Sequence, residues 1–174
     1  SDGKAIYTKN LVHGTKVYGE KLITLGGYEF REWNPYRSKF CAAIKNGLKE
    51  TIFQEKGKVL YLGSAEGTTI SHVSDIIGGE GFIFGVDVSE TAMQKLLELT
   101  EKRDNIFPIL ADAQIPLEYT DEVGGELDTL FQDVSQRNQT EIFLRNAFFL
   151  KSGGIGALSL KTKSISQTDS AEEV

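Results

Sequence analysis

The sequence predicts an α/β protein with an open, mostly parallel sheet, preceded by a small β domain. From residue 58 onward, short apolar strands alternate with helical segments, which implies right-handed crossovers between parallel strands. Each strand is nearly continuous in apolar residues, as parallel strands covered on both faces must be. The first part of the chain instead has β-branched and aromatic residues around a Gly-Gly turn. We therefore place a small β domain in residues 1–37 and the α/β domain in residues 38–174.

The elements of the small domain follow from its turn residues. Residues 5–8 and 16–24 are predicted strands, and residues 25–27 form a hairpin turn signal. The returning strand, residues 28–33, alternates aromatic and charged side chains, which is typical of a half-exposed sheet. After it, Ser38 is predicted to cap a helix whose apolar side consists of Phe40, Cys41, Ile44 and Leu48.

Five strands are predicted in the α/β domain, with helices between them. The helices are expected at residues 69–77, 90–102, briefly 117–123, and 137–150. Parallel strands of this kind bind ligands beyond their carboxyl ends. The strands are Val59–Leu62, Phe82–Val86, Ile106–Leu110, Leu127–Phe131 and Ile155–Leu160.

The composition limits the classes of protein that the chain can belong to. No apolar run approaches the roughly 20 residues needed to span a bilayer, and the polar start of the chain is not a secretory signal. The single cysteine, Cys41, cannot form an internal disulfide and suits a reducing compartment. The spacing of histidine and cysteine suggests no metal site. We interpret Cys41 and His72 as packed residues, His72 with a satisfied ring nitrogen.

The net charge of −6 is distributed unevenly along the chain. Residues 1–50 contain nine Lys and Arg against five acids, whereas the rest of the chain is strongly acidic. One interpretation is that the charge difference between the two parts of the chain arises by chance and that the acidic residues form a solvated face. The other is a basic front end that presents phosphate-binding charge on one side of the molecule.

A glycine turn after the first strand of the sheet indicates a nucleoside site. The strand ends at Gly63, and Thr68 or Thr69 can cap the following helix, so that backbone N–H groups face a ligand. The next strand ends at Asp87, where an acid accepts hydrogen bonds from ribose hydroxyls. The G-x-x-x-G spacing does not fit the dinucleotide pattern G-x-G-x-x-G. It favours a mononucleoside such as S-adenosylmethionine over NAD.

The ends of the remaining strands carry further reactive side chains. Asp112, Asp133 and Lys161 follow the third, fourth and fifth strands, so we expect them near Asp87 at one edge of the sheet. A turn at Asp112 and a helix cap at Asp133 are the structural alternatives. Because three carboxylates and one amine are expected at the ligand edge, a role in binding or catalysis is as well supported as a purely structural role.

Several segments together resemble the fibrillarin family, the box C/D RNA 2′-O-methyltransferases, and especially its archaeal form. The resemblance covers nearly the whole chain and implies a class I S-adenosylmethionine-dependent methyltransferase fold, a Rossmann-like sheet of order 3-2-1-4-5. It also implies guide-RNA-directed ribose 2′-O-methylation of rRNA and tRNA. The segments that carry it are Tyr18–Glu20, Arg31–Lys39, Val59–Gly63, Gly67–Ile76 and Asp133–Gln136.

The resemblance also implies roles for individual residues. The proposed catalytic tetrad of the family falls on Lys39, Asp112, Asp133 and Lys161. A carboxylate would accept the proton of the ribose 2′-hydroxyl, and the lysines would stabilise the developing alkoxide. Which Asp accepts the proton stays open. The S-adenosyl-L-methionine contacts fall on Gly63, Ala65, Thr68, Thr69, Asp87, Val88, Asp112, Ala113, Asp133, Val134, Ser135 and Gln136.

The partners implied by the resemblance belong to a ribonucleoprotein. They are a box C/D guide RNA with its target RNA, a Nop-domain scaffold protein and a kink-turn-binding ribosomal-type protein. The expected location is the cytoplasm for an archaeal-type protein and the nucleolus for a eukaryotic one. Two alternatives are a protein or small-molecule methyltransferase on the same fold, and a scaffold without catalytic activity.

Three departures from the family pattern affect these expectations. Glu66 stands where the family usually has a small residue, close to the expected carboxylate of the donor. Asp87 stands in place of the usual Glu and still suits ribose hydroxyls. Only five core strands are visible where the family fold has seven. If the chain ends there, strand 155–160 is an open edge, and we expect self-association through it.

Overall fold

The structure is a computed structural model, which describes residues 5–50, 52–65, 67–161 and 164. It contains a three-stranded antiparallel sheet followed by a five-stranded parallel sheet with helices on both faces. Within the described ranges, no helix has both the length and the apolar character that a membrane crossing requires. The predictions for Glu66 and for the chain beyond residue 164 concern positions outside the described residues.

The small sheet has the strand order β1-β3-β2. Its strands are β1 (Ile6–Lys9), β2 (Leu22–Leu25) and β3 (Tyr28–Trp33), and Gly26 and Gly27 form the β2–β3 hairpin turn with positive φ. The prediction of a strand over residues 16–24 was wrong for its first half. There the backbone N–H groups of Val17 and Tyr18 donate to the Glu20 carboxylate and not to a neighbouring strand.

The large sheet has the order β6-β5-β4-β7-β8, which confirms the predicted order 3-2-1-4-5. Its last strand runs from Leu150 to Leu158 and not over the predicted Ile155–Leu160. A β-bulge in this pairing separates the Leu127–Leu150 pair from the Thr129–Ile155 pair. The strands are β4 (Lys58–Leu62), β5 (Phe82–Asp87), β6 (Ile106–Leu110), β7 (Leu127–Gln132) and β8 (Leu150–Leu158).

The predicted helices are present, and they differ from the prediction at their ends. The first ends at Lys45, so Leu48 lies beyond it, and the third ends at Thr100 and not at residue 102. The last helix stops at residue 146, because a 3₁₀ turn over residues 147–149 leads directly into β8. Gly67, with a φ of 82°, occupies the N-cap of the second helix, and neither Thr68 nor Thr69 caps it. The helices are α1 (Lys39–Lys45), α2 (Thr68–Ile77), α3 (Glu90–Thr100), α4 (Thr120–Val123) and α5 (Gln139–Asn146).

Successive residues of β4 alternate between two apolar cores. Val59 and Tyr61 face the first core with residues of α1, α2 and α3, whereas Leu60 and Leu62 face the second core with residues of α4 and α5. All four side chains are almost completely buried. A central parallel strand covered on both faces therefore needs a continuous apolar sequence, as its composition predicts.

A buried ionic cluster joins the small sheet to α2. Arg31 of β3 donates from Nε to Asp75 Oδ2 at 2.9 Å and from Nη1 to Glu20 Oε1 at 2.8 Å. Arg103 Nη1 donates to the other oxygen of Asp75 at 2.8 Å. The four side chains are nearly inaccessible to solvent and carry two charges of each sign. Because each charge has a partner, the cluster avoids the cost of an unpaired buried ion.

His72 lies beside this cluster as a neutral, packed residue. Its Nδ1 lies 2.7 Å from Thr8 Oγ1, and its Nε2 lies 2.7 Å from the hydroxyl of Tyr18. The ring also stacks on Trp33 with a centroid distance of 4.8 Å. Burial lowers the pKa of His72 from 6.5 to about 2, and the positive charges of Arg31 and Arg103 act in the same direction. Each ring nitrogen therefore has a hydroxyl partner, which confirms the packing interpretation.

The depressed pKa of His72 predicts a loss of stability in mild acid. The unfolded chain takes up a proton on this ring near pH 6.5, whereas the folded protein does not, so the free energy of unfolding falls as pH drops below 6.5. We expect the slope to approach about 1.4 kcal/mol per pH unit. Chemical denaturation between pH 7.5 and 5.5 measures it. His72→Gln should flatten the slope even if it lowers stability at pH 7.5.

The second histidine of the chain supplies the matched control. The side chain of His13 is 85% exposed and lies 3.8 Å from Glu29. His13→Gln should leave the pH dependence of unfolding as it is in the unchanged protein. An equal flattening in both variants would contradict a buried neutral His72.

Candidate active site

The candidate site begins where β4 and β7 end side by side. Asp133 N–H donates to the carbonyl of Leu62 at 2.9 Å, and Gly63 N–H donates to the carbonyl of Val86 at 2.9 Å. Gly63 has a φ of 80°, and a Cβ at this position would lie 2.6 Å from the carbonyl oxygen of Asp133. Glycine therefore meets two requirements at once, a left-handed backbone and room for the neighbouring strand end.

Two cavities meet at this edge of the sheet and share a wall formed by Gly63, Ala65, Asp133 and Lys161. The first, which we call the strand cavity, has a volume of about 320 Å³ and lies over the ends of β4 to β7. The second, the helix cavity, has a volume of about 340 Å³ and lies at the amino ends of α1 and α2. Cavities of this size are typical of small-ligand sites.

Most of the predicted donor-binding residues line the strand cavity. The apolar part of its wall includes Val88, which is 63% exposed in spite of its aliphatic side chain. The residues of the prediction found there are Gly63, Ala65, Asp87, Val88, Ala113, Asp133, Val134, Ser135 and Gln136, together with Lys161.

Asp87 is held at the end of β5 by two backbone donors. Its Oδ2 accepts a hydrogen bond of 2.9 Å from Ala65 N–H, and its Oδ1 accepts one of 2.9 Å from Ser89 N–H. Ala65 reaches this position with a φ of 46°, which is unusual for a residue with a side chain. Each carboxylate oxygen keeps a second lone pair, so Asp87 is oriented and still able to accept from a ligand hydroxyl.

Three of the four predicted catalytic residues form one cluster. Lys39 Nζ lies 2.7 Å from Asp133 Oδ1, and Lys161 Nζ lies 3.1 Å from the same oxygen. Lys161 Nζ also donates to the carbonyl of Asp133 and to Ser135 Oγ, both at 2.9 Å. The second carboxylate oxygen of Asp133 has no hydrogen-bond donor within the described part of the chain. This oxygen therefore keeps its lone pairs for a further hydrogen-bond donor.

The electrostatics of the cluster distinguish the two lysines. Burial lowers the pKa of Lys161 from its ordinary value, with Asp133 opposing the change and Lys39 adding to it. The side chain of Lys161 is 22% exposed and that of Lys39 is 50% exposed. The charge of Lys161 thus acts through a less solvated environment, where electrostatic interactions are stronger.

The backbone of Lys161 is fixed by Gln139, a residue that the sequence did not single out. Gln139 Oε1 accepts from Lys161 N–H at 2.9 Å, and Gln139 Nε2 donates to the carbonyl of Lys161 at 3.1 Å. Gln139 is the first residue of α5 and is 1% exposed. A buried amide that pairs with both backbone groups of Lys161 holds the end of the chain segment after β8 against α5.

Asp112 lies apart from the other three predicted catalytic residues. Its Oδ1 accepts from Gln114 N–H at 2.9 Å and lies 3.4 Å from Gln136 Nε2. Among the described residues it contacts neither Lys39 nor Lys161. The bond to Gln114 N–H, two residues on, is that of an Asx turn, as the structural alternative predicts.

Thr68 and Thr69 line the helix cavity and not the strand cavity. Thr69 Oγ1 donates to Ser38 Oγ at 3.0 Å, and Ser38 Oγ also accepts from Cys41 N–H at 3.2 Å as the cap of α1. This hydroxyl pair ties the start of α1, and with it Lys39, to the start of α2. Tyr61, which also lines this cavity, was not predicted; burial raises the pKa of its hydroxyl.

This sheet order, with a glycine turn after the first strand and an acid after the second, defines a class I S-adenosylmethionine-dependent methyltransferase fold. Within that class the chain belongs to the fibrillarin family, whose family model, described as fibrillarin, matches residues 1–174. Solved methyltransferases of other kinds share the fold at much lower identity, for example a SAM-dependent O-methyltransferase from Thermotoga maritima at 16% identity and a TM-score of 0.56.

Relatives at higher identity carry more specific names. A fibrillarin-like rRNA/tRNA 2′-O-methyltransferase of Thermococcus onnurineus is 52% identical over 97% of this chain and 75% of its own length. The crystal structure of Aeropyrum pernix fibrillarin with natively bound S-adenosyl-L-methionine matches with a TM-score of 0.88 and 48% identity, over 95% of this chain and 72% of that one. A fibrillarin/Nop5p complex matches with a TM-score of 0.82 and 41% identity, over 93% and 75%.

The close approach at Gly63 predicts that its replacement disturbs the site. We expect Gly63→Ala to lower the free energy of unfolding by more than the roughly 1–2 kcal/mol that left-handed backbone costs a residue with a Cβ. The excess reflects the 2.6 Å clash with the Asp133 carbonyl, which has to move. Chemical denaturation of the variant measures the loss.

Gly27→Ala is the matched control for this change. Gly27, in the β2–β3 turn, has a φ of 81°, and a Cβ there meets nothing within 4 Å. Its replacement carries the backbone cost alone. If both variants lose the same stability, the contact with Asp133 does not constrain residue 63.

Proposed function

We propose that this protein transfers a methyl group from S-adenosyl-L-methionine to a ribose 2′-hydroxyl of rRNA or tRNA at a position selected by a guide RNA. The observation that carries the proposal is the Lys39–Asp133–Lys161 cluster in the wall between two cavities. A group at the junction of two ligand spaces can act where an atom passes directly from one ligand to the other. The names of the relatives support the same reaction.

The residues of the strand cavity suit S-adenosyl-L-methionine, which supplies an electrophilic methyl group on a positively charged sulfur when bound. Asp87 and Asp133 give the cavity negative charge, and Asp87 is oriented to accept from ribose hydroxyls. The adjoining apolar wall, with the exposed Val88 and the buried Val134, suits an adenine ring. We assign Asp112 to this side of the site, where Gln136 links it to the wall of the cavity.

The helix cavity is then the space for the target ribose. A 2′-hydroxyl beside Asp133 can donate its proton to the carboxylate oxygen that has no other donor among the described residues. The ammonium groups of Lys39 and Lys161 both lie on the opposite oxygen of Asp133. They orient the carboxylate and place positive charge where the ribose oxygen becomes negative. Holding this oxygen next to the donor cavity supplies a further large part of the rate.

The chain is expected to act as a subunit of a ribonucleoprotein. The fibrillarin/Nop5p complex among the matched structures supports a Nop-domain scaffold as one partner. We further propose a box C/D guide RNA, its target RNA and a kink-turn-binding protein as the other components, with a cytoplasmic location. The two-domain division at residues 37/38 remains a prediction.

Asp87 is expected to contribute to donor affinity. Asp87→Ala removes an oriented acceptor for ribose hydroxyls and should weaken binding of S-adenosyl-L-methionine by about 1–3 kcal/mol. Isothermal titration on the isolated chain measures the change. Asp121→Ala, at an exposed acid of α4, removes the same charge away from both cavities and should bind the donor as the unchanged protein does. Unchanged affinity in Asp87→Ala would contradict the assignment of the ribose site.

Lys161 is expected to act on the chemical step. Lys161→Ala should slow methyl transfer roughly a hundredfold or more with little change in donor affinity, because its charge is needed most as the alkoxide forms. The variant should fold, since Gln139 holds residue 161 through backbone groups that alanine retains. Single-turnover kinetics in the assembled particle measures the rate.

Lys151→Ala is the control for the lysine at residue 161. Lys151 lies near the opposite end of β8 and pairs with Asp128. The Lys151→Ala variant should methylate saturating substrate at the same rate as the unchanged protein. An equal loss of donor affinity and of rate in Lys161→Ala would mean that Lys161 is a donor contact or a structural residue.

A further inference from the structure

A third cavity adjoins the helix cavity and is lined mainly by charged side chains. It has a volume of about 570 Å³ and lies between the loop of residues 15–18 and the carboxyl end of α3 with the residues that follow it. Five basic and two acidic side chains line it, in a chain whose net charge is −6. We call it the basic groove, and its charged residues are Lys16, Arg37, Lys95, Glu98, Glu101, Lys102 and Arg103.

Arg37 connects the basic groove to the candidate active site. Its side chain lines both the groove and the helix cavity in which Lys39, Asp133 and Lys161 meet. Its guanidinium carbon lies 5.2 Å from the centroid of the Tyr18 ring, a cation–π contact that helps to hold it at this junction. A polymer whose reactive unit occupies the helix cavity would therefore meet Arg37 as it continues into the groove.

We propose that the basic groove binds the phosphodiester backbone of the target RNA strand next to the nucleotide that is methylated. This inference rests on the proposed function, because it takes the helix cavity as the site of the target ribose. In an RNA strand a phosphate follows each ribose, so a cationic surface beside the ribose site meets the next phosphates. Lysine ammonium groups bind phosphates without reading the base, which suits an enzyme whose target is chosen by a guide.

The two lysines on the walls of the groove are the main expected contacts. Lys16 and Lys102 are exposed, and within the part of the chain that the structure describes neither side chain forms an ion pair. Arg103 is different, since it is 1% exposed and already pairs with Asp75. It forms the floor of the groove, and the lysines present the charge.

The composition of the groove also favours RNA over an acidic protein segment. Its apolar lining is limited to Val17 and Leu99 with the ring of Tyr18, and both aliphatic side chains are partly buried. Protein–protein interfaces are apolar at their centre and lose charged residues there. The basic groove has its charges along both walls, which is the pattern expected for a phosphate backbone.

The test uses Lys16→Glu/Lys102→Glu in the particle assembled with scaffold protein, kink-turn-binding protein, guide RNA and target RNA. We expect KM for the target RNA to rise roughly tenfold at moderate salt, with kcat at saturating RNA nearly unchanged. The slope of log affinity against log salt concentration should fall by about one for each lysine. Binding of S-adenosyl-L-methionine to the variant chain should remain as it is in the unchanged protein.

Lys49→Glu/Lys58→Glu is the charge-matched control. Both lysines are exposed, follow α1 or begin β4, and line none of the three cavities. This variant should leave KM and the salt slope in place. Photo-cross-linking from 4-thiouridine at the nucleotides next to the target should yield peptides that contain residues 15–17 or 95–102.

Three outcomes would overturn the inference, and they are distinguishable. An active particle with unchanged KM, salt slope and cross-links in the double lysine variant would exclude the groove as an RNA site and leave the proposed function intact. Loss of the scaffold protein with unchanged RNA cross-links would identify the groove as a protein-binding surface. A particle of the unchanged protein that binds the donor and methylates no RNA would reject the proposed function itself, and the inference with it.

Discussion

The arrangement of the site depends on the hydrogen bonds and ion pairs that the buried carboxylate of Asp75 accepts. It accepts from Arg31 in β3, from Arg103 before β6, from Thr8 in β1 and from the backbone of Leu11. One side chain of α2 thereby fixes the small sheet against the large one. Because an uncompensated buried charge costs several kcal/mol, these partners have to assemble together. The arrangement of the two sheets is thus set by ionic contacts as well as by apolar packing.

This attachment has consequences for the chemistry through chain connectivity. β3 ends only a few residues before Ser38 and Lys39, and α2 begins with Thr68 and Thr69. When β3 is held against α2, the start of α1 is brought to the start of α2, where Ser38 and Thr69 bond to each other. Lys39 then reaches Asp133 across a sequence separation of 94 residues. The small sheet therefore positions a lysine of the candidate site that it does not itself contain.

The division of the site into two cavities follows from the same geometry. Gly63 lets the end of β4 approach the backbone of Asp133, so the carboxylate stands between the space over the strands and the space at the helix ends. Lys161 completes this wall only because Gln139 fixes its backbone. Ligands bound in the two cavities would therefore meet at this edge of the sheet, beside Asp133 and Lys161. The basic groove adjoins the helix cavity at Arg37.

The sequence by itself determined which segments form the parallel sheet, the glycine turn and the acids at the strand ends, because these depend on local patterns; the order of the strands came from the family resemblance. Continuous apolar strands predict a covered parallel sheet, and the residue after each strand falls at the ligand edge by geometry alone. It could not determine that Asp112 lies apart from the lysine cluster at Asp133, or that Thr69 bonds to Ser38. The sequence also did not indicate the roles of Gln139 and Asp75. Each of these depends on contacts between residues far apart in the chain, and only the packing of α1, α2 and α5 on the sheet decides which of them meet.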